Sequence, residues 1–204
     1  MELMVSPTSP FARKVQILAR EQGLSEAINL RALHPLDDAA ELARMNPLGR
    51  VPALITDDDK LVVDSPIICA WLDNLAVTQG RDSMLGDNAS HRLVIQQGQA
   101  LADGIMESAF LMVMERGRPE RQHSDFWQDR RRDAITRTLD YLEAQGDAVM
   151  PAGIHLASIA LACALGYLDF RHDAMQWRSG RPGLAAWFKA WEGRDSFMAT
   201  QPLA

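Results

Sequence analysis

Apolar and polar positions follow two different rhythms along this chain. Up to about Ala76, strand-length apolar runs alternate with segments of helical period. Glu2 to Val5 reads as a short buried strand. Pro10 to Gln22 reads as a helix with Val15, Leu18 and Ala19 on one face and Gly23 as its stop signal. Ala27 to Arg31 alternates as a strand does, Asp37 to Arg44 has the period of a short helix, and Met45 to Arg50 reads as a loop. Pro52 to Ile55 and Leu61 to Val63 flank the polar turn Thr56-Asp57-Asp58-Asp59-Lys60, a hairpin signal. Ser65 to Leu75 reads as a helix burying Ile68, Leu72 and Leu75. The order is βαβαββα, a mixed sheet with helices packed on it.

Beyond Ala76 the strand rhythm disappears. Residues 77–90 are polar and hold Gly80, Gly86, Asp82, Asp87 and Asn88, so they read as a linker. Four helices are expected after it. His91 to Glu115 is apolar around much of its circumference, and Asp125 to Gln145 carries an inner stripe of Ile135, Leu139 and Leu142. Leu156 to Phe170 is almost wholly apolar and should be the buried central helix, and Pro182 to Gly193 is a shorter terminal one. The expected domains are therefore residues 1–76 and residues 91–204, joined by the linker.

Composition narrows the function classes. The 204 residues are 47% hydrophobic and 24% charged, with a net charge of −6, ordinary for a globular protein and unlike a nucleic-acid binder with its basic face. The run Met1-Glu2-Leu3-Met4-Val5 ends at Ser6-Pro7, too brief for a signal h-region, and no apolar stretch reaches about 18 residues. A cytoplasmic protein is expected, with no nucleic-acid or membrane partner. Cys69 and Cys163 sit inside apolar helical patterns and read as buried small hydrophobes rather than disulfide partners. The five histidines, His34, His91, His123, His155 and His172, show no metal-ligand spacing. Arg130-Arg131-Arg132, beside Asp129 and Asp133, reads as a solvated helix face.

Three motifs could carry chemistry. Ser9-Pro10-Phe11-Ala12 marks a helix start, with Ser as a preferred N-cap and Pro preferred at the first helical position. Free N–H groups and a partial positive charge at such a start favour an anion, a thiolate included. The same residues also serve as a plain cap. The segment resembles the glutaredoxin Cys-Pro-Phe/Tyr-Cys site with Ser9 and Ala12 in place of both cysteines, so dithiol exchange is lost and a pocket for another molecule's thiol remains. In Asn46-Pro47-Leu48-Gly49-Arg50-Val51-Pro52-Ala53-Leu54, a proline opens a strand where it cannot donate to the ladder. In a thioredoxin-like fold that proline is cis and exposes the backbone of the preceding residue, here Val51, to a peptide ligand. A tight loop beside an edge strand is the plainer reading. Asp64-Ser65-Pro66-Ile67-Ile68 repeats the helix-start pattern, fit for a ligand carboxylate at Ser65 and an ammonium at Asp64, or for an N-cap beside a solvated acid.

In this order, these motifs resemble those of the glutathione S-transferases, and the resemblance runs the length of the chain. Arg181-Pro182-Gly183-Leu184-Ala185-Ala186-Trp187, Arg194-Asp195-Ser196-Phe197 and Thr200-Gln201-Pro202 are similar to the family's closing helix and tail. Thr8 to Phe11 and Ala102 to Met106 resemble a bacterial subgroup with Thr-Ser-Pro-Phe and Ala-Asp-Gly-Ile-Met, and the Ser-Pro-Phe site also resembles the plant tau class.

The resemblance implies a fold of class α/β plus all-α, a thioredoxin-like N-terminal domain followed by an all-helical C-terminal domain. It implies glutathione as co-substrate, no metal, and a homodimer. Ser9 would be the catalytic hydroxyl, Val51 with Pro52 would pair with the cysteinyl backbone, and Asp64 and Ser65 would hold the γ-glutamyl end. Arg50 would approach the glycyl carboxylate, with His34 a second candidate, and Phe11 would border the glutathione. An apolar electrophile would lie against Phe11, Met106, Phe110 and Met114, although a Met and aromatic stripe also reads as core. The implied activity is transfer of glutathione to an electrophile, as in detoxification, with peroxide reduction, dehalogenation or isomerisation as related chemistries. A non-catalytic protein of this fold acting through protein contacts is the alternative. One departure from the family is His155-Leu156-Ala157-Ser158, which stands where Ser/Thr-x-x-Asp usually opens the central helix.

Overall fold

The computed structural model describes residues 1–148 and 150–202. They form two compact units, one of Met1–Asp87 with the tail from Arg194, the other Asn88–Gly193.

The first unit contains β1 (Glu2–Val5), α1 (Pro10–Glu21), β2 (Asn29–Ala32), α2 (Ala39–Met45), β3 (Ala53–Ile55), β4 (Leu61–Val62) and α3 (Ser65–Thr78). The expected βαβαββα order is observed. The sheet order is β2-β1-β3-β4, with β1 parallel to β2 and β3 antiparallel to both β1 and β4. Side chains alternate between the faces of a strand, so neighbours on β1 serve different layers. Leu3 lies opposite Leu54 and Met4 opposite Ala53. Met4 and Ala53 pack with Leu33 and with Leu42 of α2. On the other face α1 and α3 pack together, burying Val15, Leu18, Ile68 and Leu72. Asp73, on α3, is buried and accepts from Gln22 Nε2 at 2.9 Å, the Ser83 hydroxyl at 2.7 Å and the Met84 N–H at 2.7 Å.

The second unit holds α4 (Ala89–Arg116), α5 (Asp125–Gln145), α6 (Leu156–His172) and α7 (Pro182–Glu192). Helix α6 is its centre: residues Leu156 to Leu165 are all buried, as the apolar pattern implies. Helix α4 turns Ile95, Ala102, Ile105, Met106, Ala109 and Met112 inward, and α5 buries Ile135, Leu139 and Leu142. The arginine run on α5 is not uniformly solvated. Arg131 donates to the Leu111 C=O at 3.4 Å and lies 3.6 Å from Glu115.

The start of α6 resolves the departure noted in the sequence. His155 Nδ1 accepts from the Ser158 N–H at 3.1 Å, and the Ser158 hydroxyl accepts from the His155 N–H at 3.0 Å. A reciprocal capping box therefore forms with imidazole and hydroxyl in place of hydroxyl and carboxylate. The Pro151 carbonyl, 2.7 Å from Nε2, can only accept, so Nε2 carries the proton and Nδ1 the lone pair.

The tail from Arg194 packs with the first unit, not with the helical one expected for it. It forms α8 (Asp195–Met198), a single turn beside α1. Arg194 and Ser196 hold Glu21, while Arg13 donates to the Phe197 C=O at 2.8 Å and stacks 3.7 Å from the Phe197 ring.

Candidate active site

Strand register collects most of the candidate residues. Val5 ends β1 opposite Ala32, the last residue of β2, while Met4 faces Ala53, the first residue of β3. The loop from β1 to Ser9, the segment after β2 and the segment leading into β3 therefore lie at one end of the sheet. Antiparallel pairing of β4 with β3, Val62 opposite Leu54, brings the chain out at that same end just before Asp64 and Ser65. Ser9, His34, Arg50, Val51, Pro52, Asp64 and Ser65 thus share this edge of the first unit.

Ser9 is the N-cap of α1. Its hydroxyl accepts from the Ala12 N–H at 3.2 Å, and its own N–H donates to the Ser6 C=O at 3.0 Å. Accepting leaves the hydroxyl proton free to be donated elsewhere. The capping role and a thiol-binding role are therefore compatible. Phe11 is half-buried, and its ring lies 5.9 Å from Nζ of Lys14, a fully buried lysine that the sequence did not single out.

The Val51–Pro52 bond is cis, and a second cis bond joins Val63 to Asp64. Among the described residues the Val51 N–H and C=O have no hydrogen-bond partner. Both groups are thus available to an extended peptide backbone. The loop in front of Val51 is organised by Asn46, a residue that the sequence marked as part of a turn without giving it a task. Asn46 is 1% exposed; its Nδ2 donates to the Arg50 C=O at 2.7 Å and its Oδ1 accepts from the Leu48 N–H at 3.0 Å. The Asn-Pro pair was the available signal, since it marks turn initiation. Arg50 itself is exposed and forms no ion pair among the described residues.

At the start of α3, the Asp64 side chain makes no capping bond. Ser65 is 3% exposed, yet its hydroxyl has no hydrogen-bond partner among the described residues. A helix start with free donors, an unengaged serine and an unengaged carboxylate side by side can receive a carboxylate and an ammonium together. His34 differs from these. Its Nδ1 lies 2.9 Å from Asp37 Oδ2 in an exposed loop, so one of its two ring nitrogens is already engaged.

The apolar candidates divide. Met106 has no exposed surface and belongs to the buried stripe of α4. Phe110 and Met114, one turn apart on that helix, are 40% and 37% exposed.

The chain is similar to known proteins over both of its units. Residues 8–75 match the model of the glutathione S-transferase N-terminal domain, and residues 125–190 match that of the C-terminal domain. The uncharacterized GST-like protein YibF of Escherichia coli (strain K12) is 38% identical over 205 residues, 99% of this chain and 98% of that protein. The chain belongs to the glutathione S-transferase family. Among solved structures, a family member from Pseudomonas fluorescens Pf-5 with bound glutathione matches with TM-score 0.94 and 38% identity, covering 100% of this chain and 99% of that one. A glutathione S-transferase from Methylobacillus flagellatus KT with glutathione bound gives 0.91 and 30%, covering 99% of each chain. Among the described residues no helix is long and apolar enough to cross a membrane.

Proposed function

We propose that this glutathione S-transferase binds glutathione at the shared edge of its sheet and activates the thiol for attack on an electrophilic small molecule. The observation that carries the reading is the set of unengaged groups there: the Ser65 hydroxyl, the Asp64 carboxylate, the Arg50 guanidinium and the Val51 backbone pair. Groups of this chemistry at one end of the sheet suit a tripeptide with a charged group at each end. Asp64 and Ser65 hold the γ-glutamyl ammonium and carboxylate, Val51 pairs with the cysteinyl backbone, and Arg50 meets the glycyl carboxylate. Relatives with bound glutathione support glutathione as the ligand.

Ser9 is the thiol-activating group in this scheme, as in Ser-Pro-Phe, tau-like sites. A free thiol has a pKa of about 8.5 and reacts as the thiolate. The Ser9 proton and the start of α1 stabilise that thiolate, which then attacks an electrophilic carbon or, as a side activity, a peroxide. In the helical unit, Phe110 and Met114 offer apolar surface of the kind an apolar electrophile needs. Detoxification by a cytoplasmic homodimer is the corresponding cellular role.

Calorimetric titration with glutathione at neutral pH tests the site. Binding in the micromolar to millimolar range, lost in the Asp64→Ala, Ser65→Ala double variant, supports it. A wild-type protein that takes up no glutathione contradicts it and leaves a protein-contact role for the fold.

A further inference from the structure

Strand β2 forms one edge of the sheet, and among the described residues no strand pairs with its outer side. In a parallel pair the N–H and C=O of one residue point the same way, and successive residues alternate. The Asn29 N–H donates to the Met1 C=O at 2.9 Å and the Leu33 N–H to the Val5 C=O at 2.8 Å, so Asn29, Arg31 and Leu33 face β1. Leu30 and Ala32 therefore direct their N–H and C=O groups to the open edge. Both residues are exposed, Leu30 by 51%.

Sheet edges are ordinarily guarded by a charge, a proline or a covering segment. Strand β2 has no proline, and its one charged residue is turned away. Side chains alternate between faces, which puts Arg31 on the α2 face. There it pairs with Glu41 and lies 3.5 Å from Glu2. The α1 face keeps Leu30 and Ala32.

On that α1 face a cleft of about 60 Å³ opens beside Leu30. The buried Leu3, Ala19 and Ile28 line it, and its polar members are Gln16, Arg20 and Ser25. Gln16 bonds to the Ala12 C=O at 3.4 Å. Arg20 is exposed, and among the described residues neither its guanidinium nor the Ser25 hydroxyl has a partner. Glu2 pairs with Asn29 at the start of both strands, so Ser25 and Arg20 lie towards the end of the sheet opposite Ser9.

A row of free backbone groups, an apolar cleft alongside and an unpaired cation are the parts that recognise an added strand: the backbone gives affinity, and the cleft selects the side chain. We propose that the β2 edge captures an extended peptide segment laid antiparallel to β2, with a small aliphatic side chain in the cleft beside Leu30 and, two residues on, a carboxylate at Arg20. In an antiparallel pair opposite residues share a face, and two residues forward in the peptide is two residues back along β2, from Leu30 to Ile28 and towards Ser25. The two peptide residues that carry these side chains turn their N–H groups to Leu30 and its neighbours, and the residue between them turns its N–H away. This site does not depend on the transferase reading.

The probe is fluorescein-labelled Gly-Thr-Val-Thr-Glu-Thr-Gly amide, and fluorescence anisotropy with the full chain reads its binding. The expected result is saturable binding that weakens at least about tenfold when the Val and Glu nitrogens of the peptide are methylated, as loss of interface hydrogen bonds requires. Methylation of the central Thr nitrogen should leave it unchanged. Ala32→Pro removes an outward N–H without touching the pairing with β1, and should weaken binding to a similar extent. Leu30→Ser, at an exposed position, should weaken it too and decides the matter if the proline variant does not fold. Replacing the peptide Glu by Gln should weaken binding several-fold in wild type and leave it unchanged in Arg20→Gln. No binding by wild type, or binding indifferent to methylation at Val and Glu, overturns the site. A peptide with Lys for Glu that binds equally well, through the exposed Glu26, overturns the charge assignment and with it the proposal. Self-association of the protein that Ala32→Pro abolishes, read by sedimentation, assigns the edge to a second copy and overturns the peptide site.

Discussion

The N–H of Ser158 donates to Nδ1 of His155 at 3.1 Å, so the start of the central helix depends on a lone pair that a proton can remove. Burial holds the His155 pKa below the usual value, opposed by the hydrogen bond to Pro151. As pH falls, the unfolded chain therefore takes up the proton first, near the ordinary value of about 6.5. The stabilisation is fully present above that value and is lost as pH falls towards the depressed folded value. Between pH 7.5 and 5.5, wild type should lose about 1 kcal/mol more than a His155→Ser variant, whose hydroxyl caps without titrating. Urea unfolding at the two pH values measures this. Parallel losses in the two proteins would assign the pH dependence to other groups.

Asn46 should matter for binding as well as for folding. Replacing it by alanine removes two hydrogen bonds at a buried position and leaves the Arg50 carbonyl and the Leu48 N–H unpaired, at about 1–3 kcal/mol. Because it shapes the loop that presents Arg50 and Val51, the variant should also bind glutathione several-fold more weakly. Comparing its unfolding midpoint with its glutathione Kd checks both. Unchanged affinity in a destabilised variant would make Asn46 a purely structural residue.

Asp73 is a sterner stability test. Asp73→Ala strands three donors, on Gln22, Ser83 and Met84, and should cost about 3 kcal/mol. Asp73→Asn keeps part of the pattern and should cost less. Thermal unfolding of the two variants at neutral pH would rank them, and equal losses would speak against a hydrogen-bonding role.

Much of the fold was legible because local signals agreed. The Ser-Pro helix starts at Ser9 and Ser65 and the hairpin at Thr56 to Lys60 were marked by residue chemistry alone, and α5 runs from Asp125 to Gln145 as read. Where long-range contacts decide, the pattern misled. Ala27 closes a one-turn 3-10 helix, Ser25–Ala27, and β2 begins only at Asn29, because pairing with Glu2 sets its register. Helix α4 begins at Ala89, since the Asn88 side chain accepts from the His91 N–H inside a stretch that reads as linker. The tail turn Asp195–Met198 is too short for periodicity, and its attachment to α1 through Arg13 and Glu21 spans more than 170 positions.

The candidate site was legible at its motifs and less so in its support. Ser9, Val51, Asp64 and Ser65 were visible because each sits at a proline-marked start. Asn46 was not, because its significance lies in what its side chain reaches. Helical spacing groups Met106 with Phe110 and Met114, but Met106 is buried where the other two are partly exposed.

Ser9→Ala tests the chemistry. The variant loses an N-cap, worth about 1 kcal/mol of stability, and keeps every group assigned to the two ends of glutathione. Affinity should therefore stay within a few-fold of wild type, while turnover falls about ten- to a hundredfold, the equivalent of ~1.4–2.7 kcal/mol in the barrier. A large loss of affinity with kcat preserved would instead mark Ser9 as a binding group.

The most direct measurement is the pKa of the bound glutathione thiol, followed by thiolate absorbance in wild type and in Ser9→Ala. Thiol activation by Ser9 predicts a value about one to two units below that of the free thiol in wild type, returning towards the free value in the variant. An unshifted thiol in wild type, or an equal shift in both proteins, would contradict the assignment of Ser9 as the activating group.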